Sequence, residues 1–270
     1  MKIFPQCPKE HLNKIMIKII DEHIDILPEA QKAIWDKLPI FSELGFTLYG
    51  GTALALQLGH RISIDFDFFS DIPFDNNVIK NKLSDFSIKS YSQDYASTLS
   101  FETTSGVRIS LFGDMSIGRI NSPVVCSSNK LILASCDDLF ATKIKAIFDR
   151  IEFKDYFDIA SLLKNGYSLE KGINDFHILF NESIDTNDVI KALVYFKGGD
   201  LIKLKSQERE ILKQCVNNFD YSLKFRTIKK ESRLGLSDRE LNALNIIYDY
   251  EQNKIKNKQS KNKSVRSIHL

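Results

Sequence analysis

The spacing of hydrophobic and polar positions in the first half of the chain predicts helices alternating with strands. Residues 28–44 place apolar side chains at helical intervals, so a helix is expected that ends near Gly45. Residues 46–49 and 62–69 read as strands, the second from its alternation and its β-branched and aromatic side chains. Between them, residues 52–58 have the pattern of a short helix.

Further along, the pattern predicts a hairpin and then becomes mainly helical. Residues 96–114 alternate on both sides of a turn that contains Gly106. Residues 136–150 and 154–166 follow with helical spacing, and Gly166 is a natural end for the second helix. These elements predict an α+β protein, in which a small mixed β-sheet flanked by helices precedes a mainly helical C-terminal half.

Composition supports a folded and soluble chain. Of the 270 residues, 43% are hydrophobic and 11% aromatic, which is enough to fill a substantial core. The four cysteines show no C-x-x-C spacing, so we expect reduced thiols rather than a disulfide framework or a zinc site. No apolar run approaches the ~20 residues of a membrane helix, and no signal region opens the chain. We therefore expect a cytoplasmic protein with no membrane segment.

Changes of pattern and charge suggest three parts. Residues 1–135 are expected to form a core domain with N-terminal helices, and residues 136–252 a helical domain. Residues 253–270 contain five lysines, one arginine and no acid, a charge of +6, and they lack apolar periodicity. Such a tail is expected to be disordered, and it either contacts nucleic-acid phosphates or is simply a solvated segment.

Two aspartates interrupt the most apolar segment of the chain. Asp65 and Asp67 are two positions apart in the predicted strand, so their side chains share one face. Their Cα atoms are then about 6.5–7 Å apart, a span over which two carboxylates can bind one divalent metal ion. Aspartate is rarely buried unless it is paired or coordinates a metal, which favours a metal site over a solvated edge strand.

The residues just before this strand can hold a phosphate. Gly50 and Gly51 lie where a strand becomes a helix, so backbone N–H groups can point at an anion, and Thr52 adds a hydroxyl donor. Arg61 either pairs with one of the two aspartates or contacts a phosphate. A glycine turn alone is more often structural, but beside two metal-binding acids it predicts an Mg-NTP site.

Two motifs resemble the AbiEii/AbiGii toxin family, whose members are nucleotidyltransferase-like proteins with a polymerase-β type core. The first is "GGTALALQLGHRISIDFDFF", and the second is "DDLFATKIKAIFDRIEFKDYFDIASLL". Their order and the length between them also fit. The α+β fold is accordingly expected to contain a nucleotidyltransferase core.

The resemblance implies a role for several residues. Gly51 and Thr52 match the pair that holds the triphosphate, and Asp65 and Asp67 match the acids that bind Mg²⁺. The candidate site residues are Asp65, Asp67, Lys143 and Asp158 for catalysis, and Gly50, Gly51, Thr52, Arg61 and Lys143 for the nucleotide. Within this set Lys143 matches a phosphate-contacting lysine and Asp158 a downstream acid. Asp155 and Arg150 match positions of less clear role.

The chain departs from the polymerase-β pattern at the third carboxylate. Ser110 is the only candidate on the neighbouring strand where that acid is expected, so either Glu102 or Asp158 would act as the base. Read without the resemblance, Lys143 and Asp158 could also be an ordinary surface ion pair.

Together these features predict a Mg²⁺-dependent nucleotidyltransferase that is the toxin of a toxin–antitoxin or phage-defence pair. Its expected substrates are an NTP and an RNA acceptor such as a tRNA 3′ end, although a protein hydroxyl is an alternative. By resemblance, its partner is a winged-helix antitoxin. The alternatives are a non-catalytic nucleotide-binding module acting through a protein partner and, ranked third, a glycosyltransferase.

Overall fold

The computed structural model describes residues 17–180, 184–222 and 228–249. Within this range, residues 19–235 form one compact unit, and the remaining described residues fall in a second unit. The start of the expected core domain, residues 1–16, and the basic segment 253–270 lie outside the described residues.

Eight strands form a single mixed sheet. They are β1 Lys18–Ile20, β2 Thr47–Tyr49, β3 Asp65–Phe69, β4 Ile88–Tyr95, β5 Thr98–Thr103, β6 Arg108–Phe112, β7 Val124–Cys126 and β8 Ile132–Leu133. Their order across the sheet is β1-β7-β8-β2-β3-β6-β5-β4. β3 is antiparallel to β2 and parallel to β6, so the strand that carries the two aspartates lies in the middle of the sheet. The sheet is larger than the sequence pattern predicts.

Nine α-helices accompany the sheet within residues 19–235 as far as the structure describes them. They are α1 Glu29–Lys32, α2 Pro39–Glu43, α3 Gly50–Leu58, α4 Asn76–Lys82, α5 Cys136–Asp149, α6 Phe153–Lys164, α7 Leu169–Phe180, α8 Thr186–Leu193 and α9 Ser206–Asn217. Short 3-10 helices span Ile24–Ile26, Trp35–Lys37 and Leu201–Lys203. Residues 238–249, in the second unit, are also helical. None of the described helices is long and apolar enough to cross a membrane.

The helices after β8 supply the mainly helical part that the sequence predicts. α5 packs against α6 and α7, and α6 packs against α9. α3 contacts β2, β3 and both α5 and α6, so it connects the sheet to the helices. The expected domain boundary after residue 135 falls between β8 and α5, inside the unit of residues 19–235.

The single helix predicted over residues 28–44 is wrong, because the segment is divided into three short pieces. α1 ends at Lys32, a 3-10 turn follows, and α2 begins at Pro39. Proline has no N–H to donate to the preceding turn and its ring fits only the first turn of a helix, so Pro39 starts a new one. The predicted end near Gly45 is confirmed, since this residue has a φ of 86° just after α2.

The strand predicted over residues 62–69 is shorter than expected. β3 begins at Asp65, and the side chains of Ile62 and Ile64 lie in the preceding irregular segment, 63% and 55% exposed. Only Phe66 and Phe68 point into the core, where both are fully buried. The alternation within β3 still places Asp65 and the second aspartate on the opposite face from these phenylalanines.

Candidate functional site

Gly50 begins α3 directly after β2, and its backbone conformation requires glycine. Its φ is 70°, in the left-handed region that other residues adopt only at a cost. A Cβ atom at this position would also lie 2.8 Å from Oδ2 of Asp67. The start of the helix and the second aspartate are therefore in close contact.

Gly51 gives the same kind of close approach to Arg61. A Cβ atom here would lie 2.5 Å from Nη2 of Arg61 and 3.1 Å from Oγ of Ser63. The guanidinium thus rests against the first turn of α3, where backbone N–H groups have no helical partner.

Thr52 is buried, and its hydroxyl donates a hydrogen bond to the backbone carbonyl of Asp65. In this arrangement the hydroxyl joins the helix to the strand rather than facing a phosphate. The predicted phosphate contact would require this hydroxyl to leave the backbone oxygen to which it donates.

The two aspartates lie side by side on β3, opposite two residues of β6. The parallel register pairs Asp65 with Arg108 and Asp67 with Ser110. Nε of Arg108 lies 2.8 Å from Oδ1 of Asp65, so an ion pair spans the two strands. The cation that pairs with the first aspartate is Arg108, and the predicted alternative of Arg61 is wrong.

Asp67 has a raised pKa. Burial is the largest cause, and the negative charge of Asp65 adds to it, while Lys143, Lys154 and Arg150 act in the opposite direction. Ionising both carboxylates is unfavourable in this partly desolvated position, and a bound cation would remove that conflict. The three cations show that positive charge surrounds this end of the acid pair.

Asp158 is the centre of a buried ionic network behind the acid pair. Nε and Nη2 of Arg61 donate to its two oxygens at 2.6 and 2.7 Å, and Nζ of Lys143 lies 2.8 Å from Oδ2. Nε2 of His60 lies 2.7 Å from Oδ1. Burial alone would raise the pKa of Asp158, but the hydrogen bond from Arg61 and the charge of Lys143 outweigh it, so this pKa lies well below its usual range.

Asp155 extends the network toward the surface. It accepts from Nζ of Lys143 at 2.7 Å and from Nε of Arg150 at 2.9 Å. Burial opposes ionisation of this group too, yet the hydrogen bond from Arg150 and the charge of Lys143 lower its pKa. The side chain of Arg150 is 45% exposed, so it connects the network to solvent.

The interpretation of Lys143 and Asp158 as a surface ion pair is wrong, because both side chains are buried, at 6% and 0% exposure. The pair closes a helical hairpin in which α5 supplies Lys143 and α6 supplies both acids. Arg61 comes from the segment after α3 and donates two hydrogen bonds to Asp158. The second predicted role of Arg61, contact with a phosphate, would have to be compatible with these two bonds.

Ser110 lies in register with Asp67, at the position where the resemblance leads us to expect a third carboxylate. Glu102 lies on β5, two strands from β3 and so about 10 Å away, and it pairs with Lys89 at 2.7 Å. Both oxygens of Asp158 already accept from cations. Among the residues that the structure describes, no cluster of three or more histidine, cysteine, aspartate or glutamate side chains could hold a metal ion.

Sequence reasoning missed three residues near the site. His60 is bonded to Asp158, Arg108 is paired with Asp65, and Lys154 contributes positive potential at the second aspartate. The contacts of His60 and Arg61 with Asp158 span 97 residues or more along the chain, so local spacing gives no signal for them. Arg108 could be found only from the parallel pairing of β3 with β6.

Comparison with known proteins gives the class of this one. A model for the family described as "Nucleotidyl transferase AbiEii toxin, Type IV TA system" matches residues 39–243, which include every candidate site residue. The fold is thus that of a nucleotidyltransferase. The chain belongs to the AbiEii toxin family of type IV toxin–antitoxin systems.

Individual proteins are similar over part of their length. An uncharacterized protein of Aquifex aeolicus (strain VF5) is 32% identical over 155 residues, which is 56% of this chain and 74% of the relative. The polyadenylate synthase of Megavirus has a TM-score of 0.39 at 14% identity, covering 52% of this chain and 32% of that enzyme. An antigenic nucleotidyltransferase-like protein from Paracoccidioides brasiliensis has a TM-score of 0.43 at 17% identity, covering 70% and 92%.

Proposed function

We propose that this toxin transfers a nucleotide from an NTP to a hydroxyl group of RNA, such as a tRNA 3′ end, with Mg²⁺ held by Asp65 and Asp67. The observation that carries the proposal is the shared position of the two carboxylates beside the glycine start of α3. The raised pKa of Asp67, caused by burial and by its neighbour's charge, supports a cation at this place.

The residues present fit Mg²⁺. This ion prefers oxygen ligands and is usually held by one or two carboxylates together with substrate phosphates and water. Asp65 and Asp67 supply two carboxylates, and the missing side chain of Gly50 leaves Oδ2 of Asp67 uncrowded. A third protein ligand is therefore not needed. When bound, the metal would lower the pKa of the attacking hydroxyl and neutralise charge on the departing pyrophosphate.

The chain itself would bind and orient the triphosphate. The first N–H groups of α3, around Gly51, lack helical partners and lie at the positive end of the helix dipole. Arg150 is partly exposed and raises the potential around Asp67, so it is suited to contact a phosphate oxygen. Positioning and charge stabilisation do most of the work in phosphoryl transfer, which these groups provide.

Asp158 has a positioning role in this proposal. It fixes Arg61 against the first turn of α3 and holds Lys143 within electrostatic reach of Asp67. Its lowered pKa makes it a poor proton acceptor. Glu102 lies two strands from β3 and pairs with Lys89, so the general base is assigned to neither residue. A hydroxyl activated at the acid pair needs no separate protein base.

The acceptor and the partner are proposed from the resemblance to the family, and the geometry does not bear on them. A toxin of a type IV system acts within a pair, and we propose a winged-helix antitoxin as the second member, with phage defence as the biological setting. The cationic segment 253–270 would add phosphate contacts to RNA. The sequence division into 1–135, 136–252 and 253–270 remains part of this proposal.

The test is incubation of the purified protein with each α-³²P-labelled NTP, Mg²⁺ and total cellular RNA, followed by a denaturing gel. We expect a labelled band of tRNA size that disappears with EDTA and persists in the control Asp149→Asn, whose carboxylate is 56% exposed and pairs with Lys145. Nucleotide binding without any labelled RNA or protein would refute transfer and favour the non-catalytic module.

A further inference from the structure

Arg108 contacts the acid pair from the neighbouring strand. It is the first residue of β6, and the parallel register places it opposite Asp65, one strand away at about 4.8 Å. Residues in register on adjacent strands share a face of the sheet, so its side chain lies on the face that carries both aspartates. Neither the proposed metal ligands nor the proposed phosphate contacts include this residue.

The contact between Arg108 and Asp65 is an ion pair without an aligned hydrogen bond. Nε of the arginine lies 2.8 Å from Oδ1 of the aspartate. Among the described residues, however, this Oδ1 is a buried atom with no hydrogen-bond partner. The N–H group therefore does not point at the oxygen, and charge alone holds the two groups together. The guanidinium covers a ligand atom of the proposed metal site without satisfying it.

The arginine can leave this position at small cost. Its side chain is 58% exposed and that of Asp65 is 40% exposed, and ion pairs at such positions contribute little to stability. Glu102, which faces Arg108 from β5 on its other side, pairs with Lys89 at 2.7 Å. The covering of Asp65 is thus a reversible contact of an exposed side chain.

A guanidinium beside Asp65 opposes a metal ion on the same carboxylate, because like charges repel strongly at such short distances. A triphosphate changes this balance, since it brings negative charge to both cations. Its oxygens match the planar fork of a guanidinium, which binds phosphate with two parallel hydrogen bonds. Arg108 therefore has a stronger partner than Asp65 once a triphosphate lies beside the acid pair.

We propose that Arg108 is a further triphosphate-binding residue, which pairs with Asp65 in the free protein and exchanges this carboxylate for a phosphate group when metal and nucleotide bind together. The exchange makes binding of the metal ion alone weak and couples it to the nucleotide. This inference rests on the proposed function, because it takes Asp65 and Asp67 as the metal ligands.

The first measurement is Mn²⁺ binding to the full-length protein without nucleotide, followed by the EPR signal of free Mn²⁺, which takes the same oxygen ligands as Mg²⁺. We expect Arg108→Gln to lower the dissociation constant at least about tenfold, because it removes a positive charge beside the ligand. The matched control is Lys191→Gln, which removes the same charge from an exposed ion pair with Asp188 on α8. Its constant should stay within about twofold of wild type.

The second measurement is equilibrium dialysis of ³²P-labelled inorganic tripolyphosphate at saturating Mg²⁺. Here Arg108→Gln should raise the dissociation constant at least about tenfold, and Lys191→Gln should again stay within about twofold. The two constants of Arg108→Gln thus change in opposite directions, which a general disturbance of the site would not produce. Unchanged constants, or weaker binding of both ligands, would overturn the exchange.

Asp67→Asn distinguishes a failure of this inference from a failure of the proposed function. Loss of Mn²⁺ binding in Asp67→Asn, together with unchanged constants in Arg108→Gln, would overturn the role of Arg108 and leave the metal site intact. Mn²⁺ binding that persists in Asp67→Asn would overturn the metal site, and the exchange at Arg108 with it.

Discussion

Replacing Asp158 by asparagine should cause a large loss of stability, because this one carboxylate neutralises several buried cations. It is fully buried and accepts from Arg61 twice, at 2.6 and 2.7 Å, and it contacts Lys143 at 2.8 Å. Asparagine keeps one acceptor oxygen but turns an NH₂ group toward these donors. Removing one partner of a buried ion pair typically costs about 3–5 kcal/mol, since the remaining charge stays buried and uncompensated.

A loss of this size is a large share of the 5–15 kcal/mol by which domains are usually stable, with ~10 as a working value. It can be measured by urea unfolding at pH 7, followed by the fluorescence of Trp35, the single tryptophan, which is buried. The midpoint should fall sharply, and the slope of the transition should stay constant if the unfolding remains two-state.

Asp149→Asn is the control for this measurement. Its carboxylate forms an ion pair with Lys145 one helical turn away, but the side chain is 56% exposed, so the expected change is at most about 1 kcal/mol. A loss for Asp158→Asn no greater than that of the control would refute the idea that the network stabilises the hairpin of α5 and α6.

Three further outcomes are expected. Without divalent metal, Asp67→Asn should keep or raise the melting temperature, because burial and the charge of Asp65 both disfavour the ionised carboxyl that it removes. Asp65→Asn should instead cost up to about 1 kcal/mol, because it breaks a half-exposed ion pair with Arg108. Differential scanning fluorimetry in the presence of EDTA compares the two variants. Gly51→Ala should lower the melting temperature, because the new Cβ displaces the guanidinium of Arg61, and an unchanged value would show that this side chain is free to move. The pKa of Asp158 is lower in the folded state than in the unfolded state. Its contribution to folding stability is therefore complete above about pH 4 and is lost as the pH falls toward the folded pKa. Urea midpoints measured from pH 6 to pH 3 should decline less in Asp158→Asn than in wild type.

Local pattern was enough to predict the part of the site that is continuous in the chain. The glycine turn, α3 and the strand with Asp65 and Asp67 lie within 20 residues, so helix starts and strand alternation identify them directly. The exposure of Ile62 was not predicted, because the alternation continues past the point where the backbone leaves the sheet. The break at Pro39 was predictable from its missing N–H, yet the helical spacing of its neighbours concealed it.

The partners of the charged residues could not be predicted in the same way. Arg61 meets Asp158 from 97 positions away, and Arg108 meets Asp65 only because β3 and β6 are parallel neighbours. Helical spacing placed Lys143 on one face of α5, but whether that face is buried depends on how α6 packs against it. Such contacts belong to the tertiary fold, which periodicity does not encode.

The most direct test of the account is the rate of α-³²P-nucleotide incorporation by wild type and by Asp67→Asn at saturating Mg²⁺, with RNA as acceptor. The variant is expected to be as stable as wild type, so a difference in rate reports chemistry rather than folding. Loss of a group that stabilises transition-state charge typically costs about a hundredfold or more, and the account predicts at least that loss. Incorporation by Asp67→Asn within about tenfold of wild type would contradict the assignment of the acid pair to nucleotidyl transfer.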